Sequence, residues 1–298
     1  MTPASIGLAF FLLATAASPR TARDARAGAQ AGGASWLLTT DSDSAAALSR
    51  RVLEVSARFL GTPYVHSPLG EGTGIDPDPS IRFDAVDCLT FVEETLALSI
   101  AHNPADVPAL LQQLRYARNP RYEERNHLME AQWLPHNLHK GFVRDVTREF
   151  GGAATVRVEK KITAQSWASP SSRILNLPKA ARITGAFEMD VVPLSFALAR
   201  ARQIPPGTIL LVVRAEQPRK VTRVTHLGFV VQKGKRTYLR HAARSRYHRV
   251  VDEELSTFLS RNAHYAKWPV TGIALLEPRA PSRGEIAPST ATASTDAP

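Results

Sequence analysis

Apolar residues recur along this chain with two different periods, and the change from one to the other divides it. Over residues 43–60, Leu48, Val52, Leu53, Val55 and Leu60 fall at helical spacing with Arg50 and Arg51 between them, which predicts an amphipathic helix. Gly61 ends that helix and Pro63 prevents its continuation. Residues 61–80 (GTPYVHSPLGEGTGIDPDPS) are dense in Gly and Pro and read as a loop. A second helix follows, with Asp84 or Asp87 as its cap and Leu89, Val92, Leu96 and Ile100 on its buried face. Further helices are expected at 106–116, 138–150 and 191–202. Beyond residue 207 the period becomes two. Residues 208–214, 224–232, 236–242, 247–251 and 270–277 are short, β-branched and separated by turn signals, so they read as antiparallel strands. Helices first and strands second is the α+β pattern, with N-terminal helices packed on a C-terminal antiparallel sheet.

The two ends fall outside this scheme. Residues 1–17 hold a short apolar run followed by the small residues Ala14, Ala16 and Ala17, and they read as a secretory signal peptide. The alternative is a buried N-terminal helix. Residues 18–35 are rich in Ala, Gly and Arg and read as a flexible linker. Residues 36–278 form the expected single domain. Residues 279–298 are rich in Pro, Ser, Thr and Ala and read as a disordered tail. The signal implies export to the periplasm or cell envelope. With 298 residues, 44% of them hydrophobic and 21% charged, the chain has ample material for a core. No run of 18 apolar residues occurs, so no stable membrane insertion is expected. A single cysteine excludes an intramolecular disulfide framework and cysteine-rich metal modules. A monomer is expected. A net charge of +10 suits an acidic partner, whether nucleic acid, anionic membrane or an anionic cell-wall polymer.

Candidate chemistry starts at that cysteine. Cys88 follows Asp87 at the start of a predicted helix, where the positive end of the helix dipole favours a thiolate. A thiolate is the nucleophile of a cysteine hydrolase, whereas a free cysteine is also commonly a small buried hydrophobe. His226 and His241 lie on two consecutive predicted strands. With Lys233 and Gly234 as a two-residue turn, Gln232 faces Lys235, and the same register sets His226 directly opposite His241. One imidazole would then serve as base toward Cys88 and the other would orient it. His136 and His139 have metal-like spacing but no third ligand at a clear distance, so no metal and no other cofactor is expected. The basic stretch 234–249 fits two solvated strands better than a nucleic-acid surface, so no nucleic acid partner is expected. Residues 126–137 carry Asn126, His127, Glu130 and Trp133 in a polar–aromatic run that either overhangs a substrate groove or forms an ordinary surface loop.

Several of these segments together resemble a known family. GTPY (61–64), PLGEG (68–72), RFDAVDCLTFVEE (82–94), NHLMEAQWLPHN (126–137) and THLGFVVQ (225–232) are similar to the N-acetylmuramoyl-L-alanine amidase-like family of the NlpC/p60 superfamily of cell-wall cysteine peptidases. The resemblance implies a papain-like α+β fold and a cysteine-dependent amide hydrolase acting on peptidoglycan or its fragments. By position, it implies Cys88 as nucleophile, His226 as base and His241 as the residue that orients the base. Asp87 matches an acid that contacts the free amine of a stem peptide in related enzymes, and Tyr64 matches an aromatic near it. Gln132 stands where the family pattern has an acid before the Trp. The implied partner is a stem peptide or muropeptide, cut as an amidase between the muramoyl lactyl group and L-Ala. The alternatives are an endopeptidase cutting after D-Glu and a non-catalytic wall-binding protein.

Overall fold

Helix α1 (Ala45–Arg58) begins at Ser44, whose hydroxyl accepts the Ala47 N–H, and it buries Leu48, Val52 and Val55. The computed structural model describes residues 44–281, so the expected signal peptide, the linker and nearly all of the expected tail lie outside the described residues. Helix α2 (Cys88–Ile100) is buried along almost its whole length, from Thr90 to Ile100. Its cap is Asp87, the second of the two expected candidates. Helix α3 (Val107–Arg115) completes the helical layer. Among the described residues no helix is long and apolar enough to cross a membrane.

The sheet has eight strands and every pairing is antiparallel. They are β1 (Val143–Asp145), β2 (Val156–Ile162), β3 (Gly185–Pro193), β4 (Ile209–Arg214), β5 (Val224–Lys233), β6 (Arg236–Ala243), β7 (Arg249–Glu254) and β8 (Val270–Pro278). The spatial order is β2-β3-β8-β4-β5-β6-β7, with β1 also pairing to β8. Four short helices, α4 (Leu134–His139), α5 (Thr147–Gly151), α6 (Ala164–Ala168) and α7 (Pro170–Arg173), fill the connections. Helices α8 (Leu194–Arg200) and α9 (Leu255–Ala263) cover one face of the sheet.

Strand β4 explains why its sequence is an unbroken apolar run. Ile209, Leu211 and Val213 enter the core shared with Phe91 and Leu96 of α2, while Leu210 and Val212 enter a second core with Ala197 of α8 and Phe258 of α9. A strand covered on both faces has no polar side to alternate with.

The α+β class holds, with more strands than the pattern predicts and with two of the expected helices broken into other elements. Residues 138–150 are not one helix. Gly141 takes a φ of 74°, a left-handed turn that stops α4, and the next residues pair with β8 as β1 before α5 begins. The expected 191–202 helix is the end of β3 followed by α8, with Pro193 at the junction. Strand β2 escapes pattern reading because Arg157, Glu159, Lys160 and Lys161 dilute its apolar period. It lies at the sheet edge, where charged side chains are common.

Candidate active site

The site begins with how α2 is capped. Asp87 Oδ1 accepts the Leu89 and Thr90 N–H groups at 3.0 and 2.8 Å, and the Thr90 hydroxyl accepts the Asp87 N–H at 2.9 Å. This reciprocal box leaves the Cys88 N–H as the one first-turn amide without an acceptor among the described residues. Asp87 Oδ2 accepts the Ser67 N–H at 3.1 Å. The Asp87 carboxylate is therefore engaged by three backbone N–H groups and the Thr90 hydroxyl, and it holds the helix start.

Tyr64 lies beside this cap. Its segment is pinned on both sides, with the Val65 N–H donating to Val86 O at 3.0 Å and the Tyr64 N–H donating to His248 O at 2.9 Å. Burial pushes the Tyr64 hydroxyl above the usual phenol range, with Cys88 and Asp87 adding to the shift and Arg244 opposing it. Tyr64, Asp87 and Cys88 are thus brought together, as expected.

The two histidines also meet, but not in the expected register. The hairpin turn is Gly234–Lys235, with Gly234 at a φ of 58°, so Gln232 pairs with Thr237 and Lys233 with Arg236. This is a two-residue shift from the register expected with Lys233–Gly234 as the turn. A shift of two keeps side chains on the same face, where a shift of one would not. The contact becomes diagonal instead of direct. His226 Nε2 and His241 Nδ1 lie 2.7 Å apart with the rings nearly perpendicular, at 87°. Gly228 makes this approach possible: a Cβ there would sit 2.8 Å from His241 Cβ and 2.5 Å from Arg240 O.

Sequence reasoning missed what lies behind His241. Glu253 on β7 brings Oε2 to 3.3 Å from His241 Nε2, and Arg261 on α9 holds the same oxygen at 2.7 Å. The His241–Glu253 contact is an ion-pair distance without hydrogen-bond alignment, since His241 Nε2 and Glu253 Oε1 have no hydrogen-bond partner. Phe258 of α9 packs against both rings, with centroids 5.8 Å from His226 and 5.3 Å from His241. Only the β6–β7 register brings Glu253 beside His241, because Glu253 pairs with Leu239 two residues away.

Burial pushes the Cys88 thiol up to about 12; the Asp87 carboxylate adds to this, and the backbone amides of Leu227, Cys88 and Leu89 oppose it. Burial holds His226 well below the ordinary imidazole range, helped by its neighbours His241, Arg261 and Arg214. Burial therefore disfavours the charged form of both the thiol and the imidazole, and it opposes the pull of the helix end toward a thiolate. Cys88 and His226 share no hydrogen bond in this state; the closest link is Leu227, whose amide reaches the sulfur one residue after the imidazole. Catalytic hydrogen bonds are commonly long before substrate binds.

The 126–137 segment is tied into the fold by its own polar side chains. Its polar groups turn onto the protein itself. Glu130 Oε1 accepts the Arg223 and Val224 N–H groups at 2.5 and 2.7 Å, and Oε2 accepts the Thr222 hydroxyl at 2.7 Å. The Trp133 indole donates to Glu93 on α2 at 2.9 Å. Asn126 donates to Leu114 O at 3.2 Å and meets His136, and His127 meets Tyr122 O at 2.7 Å. Asn126, Glu130 and Trp133 are buried. The segment, whose centre Met129–Trp133 is a π-helical turn, is a brace between the helix of Cys88 and the start of the strand of His226. Among the described residues no group of three His, Cys, Asp or Glu side chains converges on a metal position, and His136 instead engages Asn126.

Residues 54–265 match a family model described as N-acetylmuramoyl-L-alanine amidase-like (AmiA-like). The fold is similar to that of a Legionella pneumophila protein (TM-score 0.69, 23% identity, covering 78% of this chain and 90% of that one). It is also similar to an N-acetylmuramoyl-L-alanine amidase of Bacteroides uniformis (TM-score 0.61, 24% identity, 78% and 99%). A third likeness is to a Bacteroides fragilis protein proposed to be a xylanase (TM-score 0.61, 22% identity, 75% and 99%). No match emerges among curated proteins.

Proposed function

The chain belongs to the N-acetylmuramoyl-L-alanine amidase-like family, and on that premise we propose that it hydrolyses an amide of peptidoglycan or its fragments with Cys88 as nucleophile. The observation that carries this reading is the helix start: a lone thiol beside an uncapped N–H, next to the strand that bears a hydrogen-bonded histidine pair. We assign the fold to the papain-like NlpC/p60 group on the same arrangement of helix-borne thiol and strand-borne imidazole.

Neutral His226 takes the thiol proton as Cys88 attacks the substrate carbonyl. The resulting oxyanion is held by the Cys88 N–H, whose lack of an internal acceptor leaves it free to donate. His226, now an imidazolium, gives its proton to the leaving amine. Water then enters and loses a proton to His226, the acyl group leaves the sulfur as the free acid, and His226 returns the proton to the thiolate. His241 orients His226 throughout.

The amidase reading is favoured over the endopeptidase reading by Asp87. Recognition of a free stem-peptide amine needs a carboxylate with acceptor capacity to spare, and the helix cap takes up most of this one's, leaving only Oδ2 with a single donor. In an amidase substrate that nitrogen is already acylated by the muramoyl lactyl group. Mass spectrometry of digested muropeptides tests the choice. Intact stem peptides starting at L-Ala, together with peptide-free sugar, are expected. Fragments cut after D-Glu would favour the endopeptidase, and no turnover would favour a wall-binding protein. The net charge of +10 suits the carboxylates of such a substrate. Export to the periplasm or envelope follows from the apolar run at residues 6–17, and fractionation of cells expressing the full chain tests it.

A further inference from the structure

We propose that Glu253 is a positioning residue that fixes the tautomers of both histidines and so leaves His226 with a basic nitrogen for Cys88. The inference rests on the reading of His226 as base and extends the site by one strand.

The argument is one of proton counting. His226 Nε2 and His241 Nδ1 face each other at 2.7 Å, so one of them carries the hydrogen and the other accepts it. If His226 carries it on Nε2, its Nδ1 is unprotonated and free to take the thiol proton. Nδ1 is also the ring nitrogen nearer the main chain, where the Leu227 amide reaches the sulfur. If His241 instead donated from Nδ1, neutral His226 would have to hold its proton on Nδ1 and could not act as base. Nothing in the histidine pair itself chooses between these two states. The choice falls to whatever lies beyond His241.

What lies there is an acceptor. Glu253 Oε2 is 3.3 Å from His241 Nε2, and both side chains are 3% exposed. A carboxylate accepts and does not donate, so it favours the hydrogen on His241 Nε2. That leaves His241 Nδ1 as an acceptor and draws the hydrogen of the pair onto His226 Nε2. Arg261 pairs with the same Glu253 oxygen at 2.7 Å and fixes the carboxylate in place. The charged groups around the pair are Glu253 from β7, Arg261 from α9 and Arg214 from β4. During catalysis no proton travels along the chain. The thiol proton goes to His226 Nδ1 and leaves from there, while the two Nε2 hydrogens stay in place. The imprecise His241–Glu253 alignment leaves room for that contact to shorten when His226 becomes positive.

Long-range 1H–15N correlation spectra of the labelled full chain at pH 7 read the tautomers directly. In the wild type both histidines are expected to carry a hydrogen on Nε2 and none on Nδ1. In Glu253→Gln the amide can donate as well as accept, so His241 is expected to populate the Nδ1–H form. Muropeptide turnover by that variant should fall about 100-fold in kcat with KM within about twofold, since general-base catalysis is worth about 100-fold or more. Glu253→Asp should retain the wild-type tautomers and recover part of the rate. A wild-type His241 protonated on Nδ1 overturns the proposal, even if the Gln variant does not fold. So does a folded Glu253→Gln with unchanged tautomers or unchanged kcat. The tautomer spectra do not depend on the substrate, so absence of muropeptide turnover in the wild type would count against the amidase reading alone.

Discussion

At the scale of single residues, the site combines a thiol that is hard to ionise with a base that is hard to protonate. Cys88→Ser should lower turnover by about 10,000-fold or more while leaving the melting temperature nearly unchanged, because Ser is close in size and keeps the packing of the partly buried Cys88 against the core. Thermal melts and a muropeptide assay on the same preparation check both halves of that statement. The imidazole sets the pH response. Since His226 is held well below 6.5, it stays neutral, and therefore basic, on the acidic side of neutrality. The ratio kcat/KM at pH 6.0 should lie within about twofold of its value at pH 7.5, and the acid limb should appear only below that. A limb centred at 6.5 or higher would contradict the assigned base.

At the scale of elements, the functional side chains are held by two devices, the brace and the histidine hairpin. Glu130→Ala leaves two buried amides without an acceptor and should cost about 3 kcal/mol of stability, measured by urea titration, with KM nearly unchanged. A rise in KM without loss of stability would restore the groove-lining role for residues 126–137. Gly228→Ala should cost about 2 kcal/mol through overpacking and lower kcat as His241 is displaced, because its Cβ has no space between the strands. Local signals explain which elements were legible in the sequence. The α2 start could be read because Asp87 and Thr90 are three residues apart and complete their own motif. The histidine pair could be located but not registered, since Lys233–Gly234 and Gly234–Lys235 are both plausible turns. Glu253 could not be found, because its role depends on how β7 pairs with β6. The inward turn of Glu130 was equally hidden, since its partners, residues 222–224, lie more than 90 residues away. A charged residue in a polar run gives no sign that it is buried.

At the scale of the whole molecule, α2 carries two buried acids. Burial pushes Glu93 up to about 7 against the pull of Arg115 and the Trp133 bond, and it raises Glu94 well above the carboxylate range, with neither Glu94 oxygen hydrogen-bonded. The folded state thus keeps protons that the unfolded chain releases above 4.5. Their contribution is fully present below that pH and is lost as pH rises through the folded values. Glu94→Gln stays neutral throughout, so its melting temperature should exceed the wild type by about 4 °C at pH 8 and match it near pH 4.5. A variant less stable at both pH values would mean that Glu94 has a partner in its ionised form. The position of β7 at the end of the sheet carries a different consequence. Strand β4 is enclosed on both faces, whereas β7 is paired along its length only with β6, its other edge being held only near its start, by backbone hydrogen bonds between Val250 and residues 61 and 62. Amide hydrogens of β7 should therefore exchange with solvent well before those of β4, through openings that leave the centre of the sheet intact. Each such opening carries Glu253 away from His241, so on gradual heating the enzyme should fall silent while its far-ultraviolet signal still reads as folded.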